Sequence, residues 1–312
     1  MKTVSVSVYH RTVPNVKNQE KVDVLKFFSN GAGLVGDQVI DVQDFHCRST
    51  DVAVIQGWIT NDPGTKKHLD LRNRVIKHQL ENHKHVVGID SNVFLYATPG
   101  NPHHYLRFSF NSIFPDQGNY CDSLSDPARW QKISQDLNIS LKSYRTSGDH
   151  ILLLLQRNGG WSMGSFDVQD WCNNTIVQLR KYTNRPIVVR AHPGDKQALA
   201  YLNPATGKCK IPWSHNIRLS TNRELTDDLV GCWAAVNHNS SPVVGAAIEG
   251  YPIFVTDPVK SQCREIANID FSQIENPQLP DRQQWVERLA MSHWKFDELR
   301  SGQTWAHMRK FI

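Results

Sequence analysis

The chain has 312 residues, 39% of them hydrophobic, enough for one large or two medium α/β domains with cores of their own. The apolar run at residues 151–155 is far too short to cross a bilayer, so no membrane-spanning class is expected. Six cysteines scattered without a C-x-x-C pair argue against a disulfide framework or a zinc site, and a formal charge of +5 permits an anionic partner without requiring one.

Residues 3–9 alternate like a strand and have neither the apolar core nor the cleavage site of a signal peptide, so a soluble protein of a reducing cytoplasm is expected. Helical spacing follows at 21–30. Gly31-Ala-Gly33-Leu-Val-Gly36 matches G-x-G-x-x-G literally, but a dinucleotide fingerprint follows a strand and opens a helix. This one leaves a helix and precedes a strand at 38–42, so it reads as a helix exit and loop, with Gly33 and Asp37 candidates for lining a cleft. A strand at 52–56 and a helix at 67–82 come next. Lys66, Lys67, Arg72 and Arg74 make the start of that helix basic, with Lys77 and Lys84 beyond. Such a helix either tracks a phosphate backbone or is a solvated face whose buried side is Leu69, Ile76 and Leu80. The apolar strand at 86–90 ends in Asp90, placed either as a functional carboxylate or as a turn cap. His103-His104 lack further ligands and carry no metal assignment. Tyr105, Phe108, Phe110 and Phe114 nearly alternate, as in a packed strand.

The polar, turn-prone residues 140–149 read as a join. Beyond it, strands at 150–156, 186–190, 217–220, 234–237 and 252–256 alternate with helices at 168–182, 225–230 and 242–249, the pattern of a parallel α/β domain. Three loops leave the carboxyl ends of these strands, where such folds bind ligands. The first, Gln156-Arg157-Asn158-Gly159-Gly160-Trp161-Ser162, has little side-chain bulk and one cation, which suits a diphosphate. The second carries Arg190 and His192. In the third, Asn237-His238-Asn239-Ser240-Ser241 precedes Pro242 at the first position of a helix, where unpaired N–H groups favour phosphate; a plain serine N-cap is the alternative. Gly250 is set to end that helix in a left-handed conformation. Residues 284–312 read as two helices.

Three segments then carry a resemblance: Tyr105-Leu-Arg-Phe-Ser-Phe-Asn-Ser-Ile-Phe-Pro-Asp-Gln-Gly-Asn-Tyr120, Leu154-Leu-Gln-Arg-Asn-Gly-Gly-Trp-Ser-Met-Gly164 and Arg185-Pro-Ile-Val-Val-Arg-Ala-His-Pro-Gly-Asp195. Together they resemble glycosyltransferases of T4-like bacteriophages, of the GT-B fold, and the resemblance covers most of the chain. It implies two Rossmann-like doubly wound α/β domains facing across a cleft: an acceptor domain over 1–145, a nucleotide-sugar domain over 146–285, and C-terminal helices over 286–312 that pack back. It further implies transfer of arabinose, or glucose, from a UDP-sugar to 5-hydroxymethylcytosine in double-stranded phage DNA. The protein would act as a monomer in the cytoplasm of the infected host.

Donor-binding candidates are Arg157, Gly160, Trp161, Ser162, Arg190, His192, His238, Asn239, Ser240 and Ser241, and DNA-binding candidates Lys66, Lys67, Arg72 and Arg74. By the same resemblance Asp90 is the favoured base, with His10, Asp37 and Asp116 in reserve. No Asp-x-Asp motif is present, so metal-independent transfer without a cofactor is expected. One departure concerns the ribose-binding glutamate of many GT-B enzymes, whose place is taken by Gly245, with Glu249 displaced beside Gly250. Other readings are a transferase acting on a surface polysaccharide, a UDP-sugar epimerase, and a non-catalytic sugar-nucleotide or DNA-binding protein.

Overall fold

A computed structural model describes residues 2–13, 19–59, 64–94, 105–164, 166–221 and 223–312, without the side chain of Trp161. His103-His104 lie outside the described residues. Two compact units result: unit 1 takes the described residues up to 92, 105–138 and 286–312, and unit 2 takes 93–94 and 139–285.

In unit 1, β1 (Ser5–Tyr9), β2 (Gln38–Val42), β3 (Val52–Gln56) and β4 (His85–Asp90) run parallel in the order β2-β1-β3-β4. All five residues of β3 are buried, because a central parallel strand is covered on both faces. β5 (Leu106–Phe110) pairs antiparallel with β4, so the sheet is not uniformly parallel. The helix α1 (Gln19–Leu34) runs past its expected end through Gly31 and Gly33. A Cβ on Gly31 would lie 2.0 Å from the carbonyl oxygen of Leu299, and Gly36, at φ 94°, turns the chain towards β2. The glycine motif thus serves close packing and a helix exit. In α2 (Lys67–Glu81) the buried stripe is Leu71, Val75, Ile76 and Gln79, while Leu80, expected inside, is 40% exposed. α3 (Pro127–Leu137) was not expected. Its signals are plain in retrospect: the Asp126 side chain accepts from Ala128 N–H, and Pro127 occupies the first turn.

Unit 2 holds β6 (His150–Leu154), α4 (Val168–Leu179), β7 (Ile187–Arg190), α5 (Ala198–Leu202), β8 (Ile217–Ser220), α6 (Leu225–Leu229), β9 (Cys232–Asn237), α7 (Pro242–Ile248) and β10 (Ile253–Val255). Its five strands are all parallel, in the order β10-β9-β6-β7-β8. The segment expected as a join is bound along this unit instead. Lys142 N–H donates to Ile248 O and Arg145 N–H to Gly250 O, each at 2.8 Å. Arg145 lies over the Tyr251 ring, and Arg282 over the Tyr144 ring at 3.7 Å while donating to the carbonyls of Lys142 and Ala247. Polar residues that suggest a linker here use their stems and planes for stacking. Gly250, at φ 91°, closes α7 as expected, and a Cβ there would lie 2.1 Å from Ser143 O.

The C-terminal part contains α8 (Gln283–Met291), the short β11 (His293–Trp294), α9 (Phe296–Arg300) and α10 (Gln303–Met308), rather than two helices. β11 extends the unit 1 sheet antiparallel to β5. Trp305, 1% exposed, packs edge-on against Phe28 at 5.6 Å and near Phe110, and its Nε1–H donates to Asp37 Oδ2 at 2.7 Å. Arg309 and Val4 N–H also donate to Asp37. Burial opposes the charge of Asp37, yet these bonds hold its carboxyl below the usual range. Asp37 is a buried anchor for the terminal segment, not a cleft residue.

Candidate functional site

The strand order of unit 2 reverses direction between β6 and β9, and a parallel sheet opens its ligand crevice at the carboxyl ends of the strands flanking that point. Leu154 and Asn237 are register partners, so the two loops leave side by side. Two residues beyond each strand end, Gln156 and Asn239 meet: Gln156 Nε2 donates to Asn239 Oδ1 at 2.7 Å and to Ser162 Oγ at 2.8 Å. Asn239 Nδ2 donates in turn to Ser162 O at 3.1 Å and to Asp257 Oδ2, beyond β10, at 2.9 Å. One buried amide network therefore ties the loops after β6, β9 and β10 into a single rim. Within it, Gln156 Oε1, Asn237 Oδ1 and Ser240 Oγ, although buried, have no hydrogen-bond partner among the described residues. Each such atom costs about 1–3 kcal/mol unless a ligand satisfies it. Two amide carbonyls and a hydroxyl suit hydroxyl-rich chemistry. Beside them Ser241 takes the N-cap position of α7 without a side-chain cap bond, so the serine-cap alternative is not realised, and Val244 N–H donates to Ser241 O at 2.9 Å.

His238 is fixed by its Nδ1 to Thr256 Oγ1 at 2.8 Å, with Trp171 Nε1–H donating to the same hydroxyl, and burial lowers its pKa. The exposed ring of Phe166 stands edge-on to it at 5.9 Å. Gly159 and Gly164 both take positive φ, which a glycine-rich loop permits at no steric cost, and Gly160 N–H donates to Arg157 O at 3.0 Å. Arg157 is exposed, and its charge reaches His192 and Asp195. Trp161 starts a 3-10 turn, but its side chain lies outside what is described. His192 Nδ1 accepts from Gly194 N–H at 2.9 Å; burial chiefly, then Arg157, lowers its pKa against the pull of Asp195. With Nδ1 accepting, the ring can carry its N–H at Nε2.

Arg190 requires correction. Its guanidinium donates to Asp228 Oδ2 at 2.6 Å and to Arg223 O at 2.7 Å, and Asp228 is 1% exposed, so Arg190 ties β7 to α6 instead of facing a donor phosphate. Glu249 is the C-cap residue of α7, at the far end of that helix from Ser240 and Ser241, which gives the displaced ribose role no support. The residues that sequence reading missed are Gln156 as a network donor, Thr256, Asp257 and Phe166. Only Thr256-Asp257 carried a signal, as polar residues closing an apolar strand.

In unit 1, Asp90 ends β4 directly opposite Arg107 of β5, whose Nη2 donates to Asp90 Oδ2 at 2.6 Å. Two of the four DNA-binding candidates are otherwise engaged. Arg72 donates through Nε and Nη2 to Thr12 O, packs against Gly57, and is pushed by burial to about 10, with Asp90 opposing. Arg74 donates to Asp70 at 2.8 Å and to Phe45 O at 3.0 Å. Both guanidiniums have partners within unit 1, Arg72 on its half-buried side and Arg74 in an exposed i,i+4 pair. Lys66 and Lys67 are exposed at the helix start. Among the reserves, His10 Nε2 meets Asp41 Oδ1 at 2.6 Å, and Asp116 is exposed in a turn. The described residues contain no group of three or more side chains that could hold a metal, and no helix long and apolar enough to cross a membrane.

No family model and no curated protein sequence matches the chain. Among solved structures, a beta Kdo 2,4 transferase, KpsC of Thermosulfurimonas dismutans, aligns with TM-score 0.52 at 11% identity, over 94% of this chain and 91% of that one. The beta Kdo 2,7 transferase of the same KpsC gives TM-score 0.48 at 11% identity, covering 99% and 100%. Methanocaldococcus jannaschii UDP-GlcNAc 2-epimerase, in complex with UDP-GlcNAc and UDP, gives 0.35 at 10% identity, covering 100% of each. The first of these likenesses bears out the fold class: two Rossmann-like α/β units of the GT-B type, with parallel-rich sheets and interleaved helices.

Proposed function

We propose that the protein is a glycosyltransferase whose unit 2 holds a nucleoside diphosphate sugar and whose unit 1 supplies the acceptor-side base. The observation that carries this reading is the rim at the β6–β9 reversal, where Gln156 Oε1, Asn237 Oδ1 and Ser240 Oγ, beside a bonded Gln156–Asn239–Asp257 network, have no hydrogen-bond partner among the described residues. Carbonyl acceptors suit sugar or ribose hydroxyls. The Arg157 cation and a His192 ring N–H suit a diphosphate.

In the reaction Asp90 takes the proton of the acceptor hydroxyl as its oxygen bonds to the anomeric carbon. The anomeric C–O bond to the diphosphate breaks, and its electron pair leaves with the nucleoside diphosphate. Following the sequence resemblance, the donor is UDP-arabinose or UDP-glucose and the acceptor 5-hydroxymethylcytosine in double-stranded phage DNA, modified in the host cytoplasm without a metal cofactor. Two observations favour a second acceptor class, a surface glycan: the Arg72 guanidinium is taken up by Thr12 O of unit 1, and the similar KpsC is by name a Kdo transferase.

The test incubates the protein with hydroxymethylcytosine duplex DNA and either UDP-sugar in EDTA, then digests the DNA and weighs the nucleosides. A nucleoside heavier by one pentosyl or hexosyl group is expected. Unmodified DNA together with transfer of the sugar to a glycan acceptor and release of UDP would move the reading to the second class, and no turnover with either would overturn it. Independently, Asn239→Ala removes the hub of the rim, and about a 10- to 100-fold loss of UDP affinity by calorimetry is expected, about 1.4–2.7 kcal/mol. Unchanged affinity would remove the rim from the donor site.

A further inference from the structure

Buried arginines in this protein fall into two kinds. Arg129 is 8% exposed and, apart from an unpartnered Nε, well satisfied: its guanidinium donates to both carboxylate oxygens of Glu298 and to His293 O. Arg107 is buried deeper, at 4% side-chain exposure, and is poorly satisfied. Among the described residues its Nε and Nη1 have no hydrogen-bond partner and Asp90 is its one hydrogen-bond acceptor, and its guanidinium lies 5.8 Å from the Tyr120 ring centre. Placing a guanidinium there for a single bond costs stability, since an apolar side chain of similar volume would fill the site without desolvating a charge. The bond comes from the neighbouring strand. Arg107 sits opposite Asp90 in the antiparallel register and takes Oδ2, while the carboxylate itself is 25% exposed. A second cation, Arg72, anchored on Thr12 O, acts on Asp90 through its charge.

We infer that Arg107 is a positioning residue, retained at a cost to stability to fix the rotation of the Asp90 carboxylate so that one oxygen is tied and the other is presented to the acceptor hydroxyl. This rests on the reading of Asp90 as the base. A carboxylate on a strand end otherwise turns about two side-chain bonds, and misplacing a reacting group by about 1 Å costs on the order of 10²-fold in rate. Arginine suits the task better than lysine, because its planar fork fixes direction as well as charge.

The test compares Arg107→Met, Arg107→Lys and Asp90→Asn with the wild type in kcat, donor KM and thermal midpoint. Arg107→Met is expected to lower kcat about 10²-fold, with donor KM unchanged and a thermal midpoint equal to or above that of the wild type. Arg107→Lys should recover part of kcat, and adding Arg107→Met to Asp90→Asn should lower kcat no further, because the two act as a unit. A kcat within threefold of wild type in Arg107→Met would overturn the inference, as would a kcat loss matched by a lower midpoint, which marks a merely structural arginine. Failure of the underlying reading looks different: Asp90→Asn itself would keep its activity.

Discussion

Asp90→Asn is expected to lower kcat for transfer by about 10²–10⁴-fold while leaving donor affinity intact. The substitution is well matched to the geometry. Asp90 receives Arg107 Nη2 on Oδ2 at 2.6 Å, and an asparagine can offer its carbonyl oxygen to the same donor, so the side chain keeps its seat and loses the ability to take a proton. Its register partner lies at the start of β5, within unit 1, whereas the proposed donor contacts all belong to unit 2. A base variant should therefore separate the two half-functions. Nucleoside diphosphate should bind with wild-type affinity by calorimetry, and single-turnover transfer to the acceptor identified by the nucleoside assay should be nearly lost. Loss of both affinity and turnover would make Asp90 a structural residue. Retention of turnover within tenfold would direct attention to His10, whose Nε2 pairs with Asp41 at 2.6 Å and which leaves the end of β1.

The alternation of strands and helices was readable because parallel α/β units write it plainly: buried strands such as Val52-Ala-Val-Ile and Ile151-Leu-Leu-Leu are short, continuous and apolar, and Pro242 and Gly250 punctuate α7 from both ends. The antiparallel edge was not readable. β11 is a two-residue strand, and nothing local in His293-Trp294 distinguishes it from a helix end; its partner β5 lies far away in sequence. The same limit applies at the site. That the loops after β6, β7 and β9 carry polar chemistry followed from composition, whereas the direction of each long side chain did not. Arg190, Arg72 and Arg74 look alike in sequence as cations near strand or helix ends, yet Arg190 is held by buried Asp228 and Arg72 by Thr12 O, while Arg74 makes an exposed pair with Asp70. The amide network shows the converse. Gln156 and Asn239 are unremarkable residues until register places them together across the β6–β9 reversal.

Removal of Glu298 should give the largest stability effect in unit 1. The carboxylate is 3% exposed and accepts from Arg129, from Lys132 Nζ at 2.6 Å and from Lys295 N–H at 2.9 Å, which joins α3 to the start of α9. Arg129 in turn stacks over the Trp294 ring at 4.1 Å. Glu298→Ala leaves that guanidinium buried and uncompensated, and a loss of about 3–5 kcal/mol is expected in denaturant unfolding at pH 7. Burial works against the ionised form of Glu298, but the bonds from Arg129, Lys132 and Lys295 outweigh it and hold the carboxyl below its ordinary value of 4.5. The unfolded chain therefore binds the proton more readily, so this contribution is fully present above about pH 4.5 and is lost as the pH falls through the folded value. The double variant Arg129→Met with Glu298→Leu removes both charges together. It should recover most of the lost stability, and its unfolding free energy should fall less steeply on acidification than that of the wild type. A loss below about 1 kcal/mol in Glu298→Ala would show the cluster to be as weak as a surface ion pair. A double variant no more stable than Glu298→Ala would show instead that the cluster's hydrogen bonds, rather than an uncompensated charge, set the cost, since only then does removing Arg129 recover nothing.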